Sequence, residues 1–167
     1  MANVFHPDID EHGEREGFRW RGESVGRKAG GERLGASLYE LPPGESTFPY
    51  HYHLANEEML LVLRGRPHLR APEGWCQLEE GEVVAFPVGP RGAHQLANRT
   101  DEEVRFLIVS EMRGPDIGVY PDSGKVGVRE HAPGSQREGL KFNFSTEDER
   151  DYWDGEPGPD PEREAAD

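Results

Sequence analysis

Two histidines one residue apart, His51 and His53, lie in the segment FPYHYHLANEEMLLVLRG at residues 48–65. On a β-strand, side chains at positions i and i+2 point to the same face, so both imidazoles can reach one point in space. Imidazole is a common ligand of zinc and other transition metals. Because aromatic and aliphatic residues surround the pair, a fully exposed strand is disfavoured. The pair by itself leaves two interpretations open, a metal site and two polar residues on an exposed face, and its apolar surroundings add support to the metal site.

A carboxylate follows the histidines at a distance that a hairpin would close. Glu58 is the fifth residue after His53 and begins the apolar run EMLLVLR, and the intervening LANE is short enough for a hairpin connection. Two imidazoles and one carboxylate with open coordination positions form the ligand set of non-haem iron sites. Glu57 competes with Glu58, because both faces of the following strand are apolar and alternation does not choose between them.

His94 supplies a candidate third imidazole. It begins a strand-like run after the Pro- and Gly-rich turn at 87–93, where a side chain can be aimed inward from the mouth of a barrel. Three histidines and one glutamate suit one divalent transition metal ion such as Zn, Mn, Fe or Ni. Ligand type alone does not choose among these metals.

The short apolar runs of the chain predict the fold class. Seven or eight such runs follow one another at intervals of about ten residues, and Gly, Pro and Asn separate them, which is typical of an all-β sandwich or barrel. No segment shows the sustained three-and-four spacing of a long helix. The main runs span residues 34–41, 48–54, 58–64, 67–71, 75–79, 82–86, 94–98 and 104–111.

Composition limits the classes of partner. The 167 residues are enough for one ordinary domain, and their formal net charge is −14. A charge of that sign repels phosphate backbones and anionic lipid surfaces, so neither nucleic acid nor a membrane is an expected partner. The single cysteine allows no intrachain disulfide, and the polar, acidic segment at residues 1–16 lacks the basic head and apolar run of a secretory signal. These features predict a cytoplasmic protein.

Two motifs, in this order, resemble those of the cupin family. The first, a Gly, a His-x-His, a Glu and a Gly, matches Gly44, His51, His53, Glu58 and Gly65. The second, a Gly, a Pro-x-Gly, a His and an Asn, matches Gly81, Pro87, Gly89, His94 and Asn98. Two spacings depart from the family pattern: one extra residue precedes His51, and four residues rather than two separate Gly89 from His94.

The resemblance implies a double-stranded β-helix, the jelly-roll barrel of cupins, with a metal inside it near one end. The metal ligands it implies are His51, His53, Glu58 and His94, and counting back from Gly65 favours Glu58 over Glu57. A small-molecule ligand is expected in the barrel. Small cupins are commonly homodimers, so a homodimer is expected as well.

The domain boundaries follow from the same pattern. Residues 1–17 are expected to form an irregular N-terminal arm, and residues 18–144 a single cupin barrel with flanking strands. Residues 145–167 are expected to form a short helical turn and an acidic, Pro-rich tail. Such a tail buries too little apolar surface to offset its ordering entropy, so disorder is predicted for it.

The resemblance restricts function less than fold, because cupins host many chemistries. The layout, including YPDSGKV after the barrel, is similar to small single-domain bacterial cupins labelled sugar-phosphate or mannose-6-phosphate isomerase-like. We predict a metal-dependent enzyme of isomerase or epimerase type on a small, sugar-like substrate. The alternatives are an iron-dependent dioxygenase at the same site and a non-catalytic module that binds metal or sugar.

Further catalytic residues are candidates only. Isomerisation needs a base near the substrate, and Glu57 is a candidate, followed by Tyr39, Tyr50 and Gln95. A phosphorylated sugar would need a basic clamp. Arg64, Arg91 and Lys125 are candidates for the clamp, and Arg91 is the best placed of them because its loop precedes His94.

Overall fold

The architecture is almost entirely antiparallel β-sheet. The structure, a computed structural model, describes residues 1–135 and 137–158. The strands in this part of the chain are β1 (Glu11–Arg15), β2 (Phe18–Glu23), β3 (Leu34–Leu41), β4 (Tyr52–His53), β5 (Glu58–Arg64), β6 (His68–Ala71), β7 (Gly74–Gln77), β8 (Val83–Phe86), β9 (Gln95–Ala97), β10 (Val104–Glu111), β11 (Asp116–Tyr120), β12 (Lys125–Arg129) and β13 (Lys141–Ser145). One turn of α-helix, α1 (Val25–Lys28), and short 3₁₀ turns at Pro90–Gly92, Pro121–Ser123 and Thr146–Asp148 complete the described elements.

The strands form three sheets in which all named pairs are antiparallel. The largest has the order β1-β2-β3-β10-β5-β8, the second β13-β12-β11-β4, and the third β7-β6-β9. Strands distant in sequence are neighbours in the first sheet, since β10 lies between β3 and β5. The predicted all-β class is confirmed. None of the helices in the described residues is long and apolar enough to cross a membrane.

One apolar cluster joins the first and third sheets. It is built from alternating positions of the strands, as expected when one face of each strand is buried. Its members are Leu41, Leu60, Val62, Leu69, Leu78, Phe86, Leu96, Val104 and Phe106. Leu60 and Val62 in the middle of β5 belong to this cluster, and Glu58 is the first residue of the same strand.

The burial of β5 decides which way its first residue points. Glu58, Leu60 and Val62 are buried, whereas Met59 is exposed. Glu58 therefore shares the inward face with two core residues, and Glu57 just before it is exposed. Next to Glu58, β10 contributes Ser110 across the sheet.

The prediction for residues 1–17 needs a correction, because residues 11–15 are strand β1 and pair with β2 along their whole length. Residues 1–10 contain no helix or strand. The sequence EHGER is polar and shows no apolar alternation, so it carries no strand signal of its own. Gly13 contributes instead by having no side chain, since a Cβ there would collide with the Trp20 indole.

After the barrel, residues 125–129 and 141–145 form the strands β12 and β13. The helical turn expected from residue 145 is a 3₁₀ turn at Thr146–Asp148, and Ser145 caps it by accepting a hydrogen bond from the Glu147 amide at 3.1 Å. The acidic tail from residue 159 onward lies outside the described residues, so the prediction of disorder is untested there.

Candidate metal centre

Backbone hydrogen bonds bring the two histidine segments together. The amide of His51 donates to the carbonyl of His94 at 3.1 Å, and the amide of His94 donates to the carbonyl of His51 at 2.9 Å. His53 lies in β4, opposite Gly118 of β11. Residues about forty positions apart in sequence are thus held side by side by main chain.

Each of these three imidazoles is oriented by a hydrogen bond at Nδ1. The partner oxygens are the Pro49 carbonyl for His51 at 2.9 Å, the Gly92 carbonyl for His94 at 2.9 Å, and the Asp116 carboxylate for His53 at 2.6 Å. When Nδ1–H donates to such an acceptor, Nε2 keeps its lone pair, which is the state that a metal needs. This orientation of all three rings is what a metal centre requires of its histidines.

The free ring nitrogens converge on one carboxylate. The Oε2 atom of Glu58 lies 3.7 Å from Nε2 of His53 and 3.4 Å from Nε2 of His94. Ligand atoms of His51, His53 and Glu58 all lie within 4.8 Å of one another. His94 falls outside that compact group, although its ring centroid is 4.7 Å from that of His51. Neutral imidazoles and a carboxylate are suitable ligands for a divalent transition metal, and His51, His53 and Glu58 could hold one.

The longer spacing of the second motif is taken up by a turn. Pro90–Gly92 form a 3₁₀ turn, and the carbonyl at its end, that of Gly92, accepts the Nδ1 hydrogen bond of His94. A Cβ at Gly92 would collide with the Pro87 carbonyl, so only glycine allows this close approach. The extra residues therefore help to orient His94.

The electrostatics of the cluster differ from ring to ring. Burial and the neighbouring His94 and His53 rings lower the pKa of His51 to about 3. Burial likewise lowers the pKa of His94 to about 4. Burial would also lower the pKa of His53. The hydrogen bond to Asp116 and the charge of Glu58 outweigh this effect, so the pKa of His53 is raised. Burial raises the pKa of Glu58. At neutral pH two of the three imidazoles are already in the neutral form that binds metal.

We expect metal affinity to fall with decreasing pH through the protonation of two ligands, His53 and Glu58. His51 and His94 stay neutral down to their pKa values of about 3 and about 4, so His53 is the imidazole that must lose a proton to ligate. The pKa values of His53 and Glu58 are both raised. Affinity should be constant above both of them, and below them each protonation should lower it about tenfold per pH unit. Calorimetric titration with Zn²⁺ at several pH values measures the slope, and a slope of three protons near neutrality would refute this assignment.

A cavity of about 410 Å³ opens beside the cluster. That volume is in the range of sites for small organic ligands. All four predicted ligands line it, and so do Tyr39 and Gln95. Much of the remaining lining is aromatic or aliphatic: Trp20, Phe48, Pro49, Leu96, Phe106, Ile108, Met112, Tyr120 and Pro133. The arrangement can bind a small molecule with one of its atoms next to the metal ligands.

The two catalytic candidates, Glu57 and Arg91, are not part of this cavity. Glu57 is exposed, and its amide donates to Glu111 in a separate open groove at 3.3 Å. Because neighbouring side chains of an extended chain point in opposite directions, the Glu57 side chain points away from the buried face that carries Glu58. Arg91 is exposed on the 3₁₀ turn. The contact of this turn with His94 is made by the carbonyl of Gly92 and not by the side chain of Arg91. Tyr50 is also outside the cavity lining, and the Arg70 guanidinium lies 4.0 Å from the centre of its ring.

Asp116 is the residue that the sequence interpretation missed. It is 1% exposed, begins β11, and orients His53 through Nδ1. Burial by itself would raise the pKa of Asp116, but hydrogen bonding to His53 and the positive charge of that ring hold it below its usual range. A signal was present, because an acid at the head of the apolar run DIGVY resembles Glu58 at the head of its own run.

The comparisons with known proteins agree with this architecture. Residues 37–110 match the family model described as "Cupin domain". A search of curated proteins finds no match to this chain.

Solved structures share the fold over most of the chain. A protein from Acidithiobacillus ferrooxidans, provisionally named a sugar phosphate isomerase, is 24% identical with a TM-score of 0.73, and the alignment covers 86% of each chain. A sugar phosphate isomerase of the cupin superfamily from Silicibacter pomeroyi is 21% identical with a TM-score of 0.74, covering 89% of this chain and 94% of that one. A polyketide cyclase from Streptomyces resistomycificus is 26% identical with a TM-score of 0.50, covering 58% and 68%. The predicted jelly-roll barrel is confirmed, and residues 37–110 of this chain match the cupin domain.

Proposed function

We propose that this protein is a metal-dependent enzyme that acts on a small, oxygen-bearing molecule in the cavity beside His51, His53, Glu58 and His94. The single observation that carries the proposal is the orientation of the three imidazoles. Their Nδ1 atoms are engaged by oxygens, which leaves Nε2 available beside Glu58 at the wall of a ligand-sized cavity.

A divalent metal held by these residues would supply a Lewis acid or, in the case of iron, redox chemistry with dioxygen. The chain's own residues do the rest. Asp116 keeps His53 in the ligating tautomer. Burial raises the pKa of Tyr39, so its hydroxyl stays protonated and can donate a hydrogen bond to a substrate oxygen. The apolar walls of the cavity limit access of water to the bound molecule.

The isomerase or epimerase type predicted from the sequence needs a proton acceptor. Among the residues that the structure describes, the cavity is lined by one carboxylate besides Glu58, that of Glu11. The Glu11 carboxylate lies 2.9 Å from the Arg27 guanidinium. Glu11 is therefore the group to test as a base in place of Glu57. The two structural relatives with sugar phosphate isomerase names are compatible with this reaction type, although at their identity they support the fold alone.

An iron-dependent dioxygenase is the second candidate. It is favoured by the apolar, aromatic lining of the cavity and by the scarcity of groups that could act as a base. A non-catalytic metal- or sugar-binding module remains the third alternative from the sequence.

Metal analysis and two activity assays separate these functions. Purified full-length protein is analysed for metal content and then reconstituted separately with Fe²⁺, Mn²⁺, Zn²⁺ and Ni²⁺. We expect about one metal ion per chain and turnover with at least one metal. Oxygen uptake that requires both Fe²⁺ and an added phenol or enol supports the dioxygenase. Isomerisation or epimerisation of sugars seen by proton NMR without oxygen uptake supports the first reaction type. Metal binding without turnover of any compound would favour the module, and the failure to bind any of the four metals would refute the proposal.

A further inference from the structure

Aromatic rings form one continuous wall of the cavity. The Trp20 ring contacts Tyr39 and Phe48 edge-on, with centroids 5.1 Å and 5.5 Å apart. Tyr39 in turn lies 5.6 Å from both Phe48 and the buried Phe106. The rings come from separate segments of the chain, so they meet only in the folded protein. Such rings offer a rigid surface to a flat, apolar ligand.

A further aromatic ring lies against the metal cluster. Tyr120 lines the cavity and stacks on His51 at a centroid distance of 5.7 Å and an interplanar angle of 17°. Phe48 also approaches His51, at 6.4 Å. A molecule bound next to the metal ligands would therefore lie close to aromatic side chains.

The charges around the cavity disfavour a phosphate group. No lysine or arginine lines it among residues 1–135 and 137–158. Of the cations near its lining residues, Arg27 is paired with Glu11 at 2.9 Å, and Lys125 lies 4.4 Å from the centre of the Tyr120 ring. A phosphate on the far end of a substrate whose oxygen faces the metal would lack the charged partners that phosphate sites use, and burying an unpaired charge is costly.

These observations define a substrate class, on the basis of the proposed function. We infer that the cavity takes an uncharged, unphosphorylated molecule that carries an aromatic or enolic ring and an oxygen directed at the metal ligands, and that the wall of Trp20, Tyr39 and Phe48 holds the ring. Sugar phosphates are excluded by charge rather than by size.

Ligand binding by a Phe48→Ala variant tests this substrate class. Full-length protein, both Zn²⁺-loaded and metal-free, is titrated calorimetrically with catechol, mannose and mannose 6-phosphate. We expect wild-type protein to bind catechol most tightly and mannose 6-phosphate no better than mannose. The variant should bind catechol about threefold to tenfold more weakly, as expected for the loss of one aromatic contact. Its metal content should not change, because Phe48 has no ligand atom.

Phe142→Ala is the matched control. Phe142 is a partly exposed phenylalanine on the edge strand β13 and does not line the cavity, so its loss should leave binding unchanged. Tighter binding of mannose 6-phosphate or mannose than of catechol, or equal binding of catechol by the Phe48→Ala and Phe142→Ala variants, would overturn the inference. Metal content is measured on the same samples. Failure of the metal-site proposal would therefore appear as the absence of bound metal, whereas failure of this inference would appear as a different ranking of the affinities for the three compounds.

Discussion

Replacing His51 by Ala is expected to lower metal affinity by more than about 100-fold, and replacing His53 should do the same. Changes to residues that only orient a ligand cost about 10–100-fold, so the loss of a ligand itself should exceed that range. The two rings sit 5.0 Å apart on either side of Tyr52, and Nε2 of each is available for ligation. Elemental analysis after dialysis and calorimetric titration with Zn²⁺ measure the effect.

His12→Ala provides the control, because His12 is exposed on β1 and belongs neither to the ligand group nor to the cavity lining. It should retain the full metal content. Circular dichroism and thermal unfolding of the metal-free variants exclude a loss of fold. Unchanged metal content in both the His51 and His53 variants would refute the metal centre.

Replacing Asp116 by Asn is expected to weaken metal binding about 10–100-fold, although this residue is not one of the predicted ligands. The substitution keeps the shape of the side chain and removes the negative charge that faces Nδ1 of His53 at 2.6 Å. The orientation and basicity of that ring then depend on a neutral amide. The variant should fold, since an amide can still accept the hydrogen bond.

The pH profile separates this role from a general loss of stability. The carboxylate of Asp116 raises the pKa of His53, so its removal should lower that pKa. The tenfold fall in affinity per pH unit should therefore begin at a lower pH in the variant than in wild type. Asp122→Asn is the matched control, because Asp122 pairs with Arg70 on the surface rather than with a histidine. An Asp116 variant with the affinity and pH profile of wild type would show that this carboxylate does not position the ring.

Much of the barrel could be predicted because its signals are local. Residues 34–41, 58–64 and 104–111 were expected as strands and are observed at those bounds, as β3, β5 and β10. Alternating apolar residues and flanking turn residues are sufficient to define such strands. The first two strands and β11 were not predicted, since short polar or half-exposed strands gain their stability from the neighbours with which they pair rather than from their own pattern.

The chemistry of the candidate site was partly determined by sequence alone. Residue type and spacing identified two imidazoles on one face of a strand, and the second motif added His94. Those inferences need only the geometry of a strand and the preferences of metal ions. They do not depend on which face of the strand is buried.

The tertiary structure decided the rest, and the physical reason is the same in each case. Local periodicity shows which residues share a face, but only packing against distant strands shows which face is inside. That packing turns Glu58 inward and leaves Glu57 and Arg91 outside the cavity. It also brings Asp116 to His53 across 63 positions of sequence and assembles the aromatic wall from separate segments. The sequence by itself determined the ligand types and the fold class, whereas long-range contacts determined which carboxylate faces the histidines and what surrounds them.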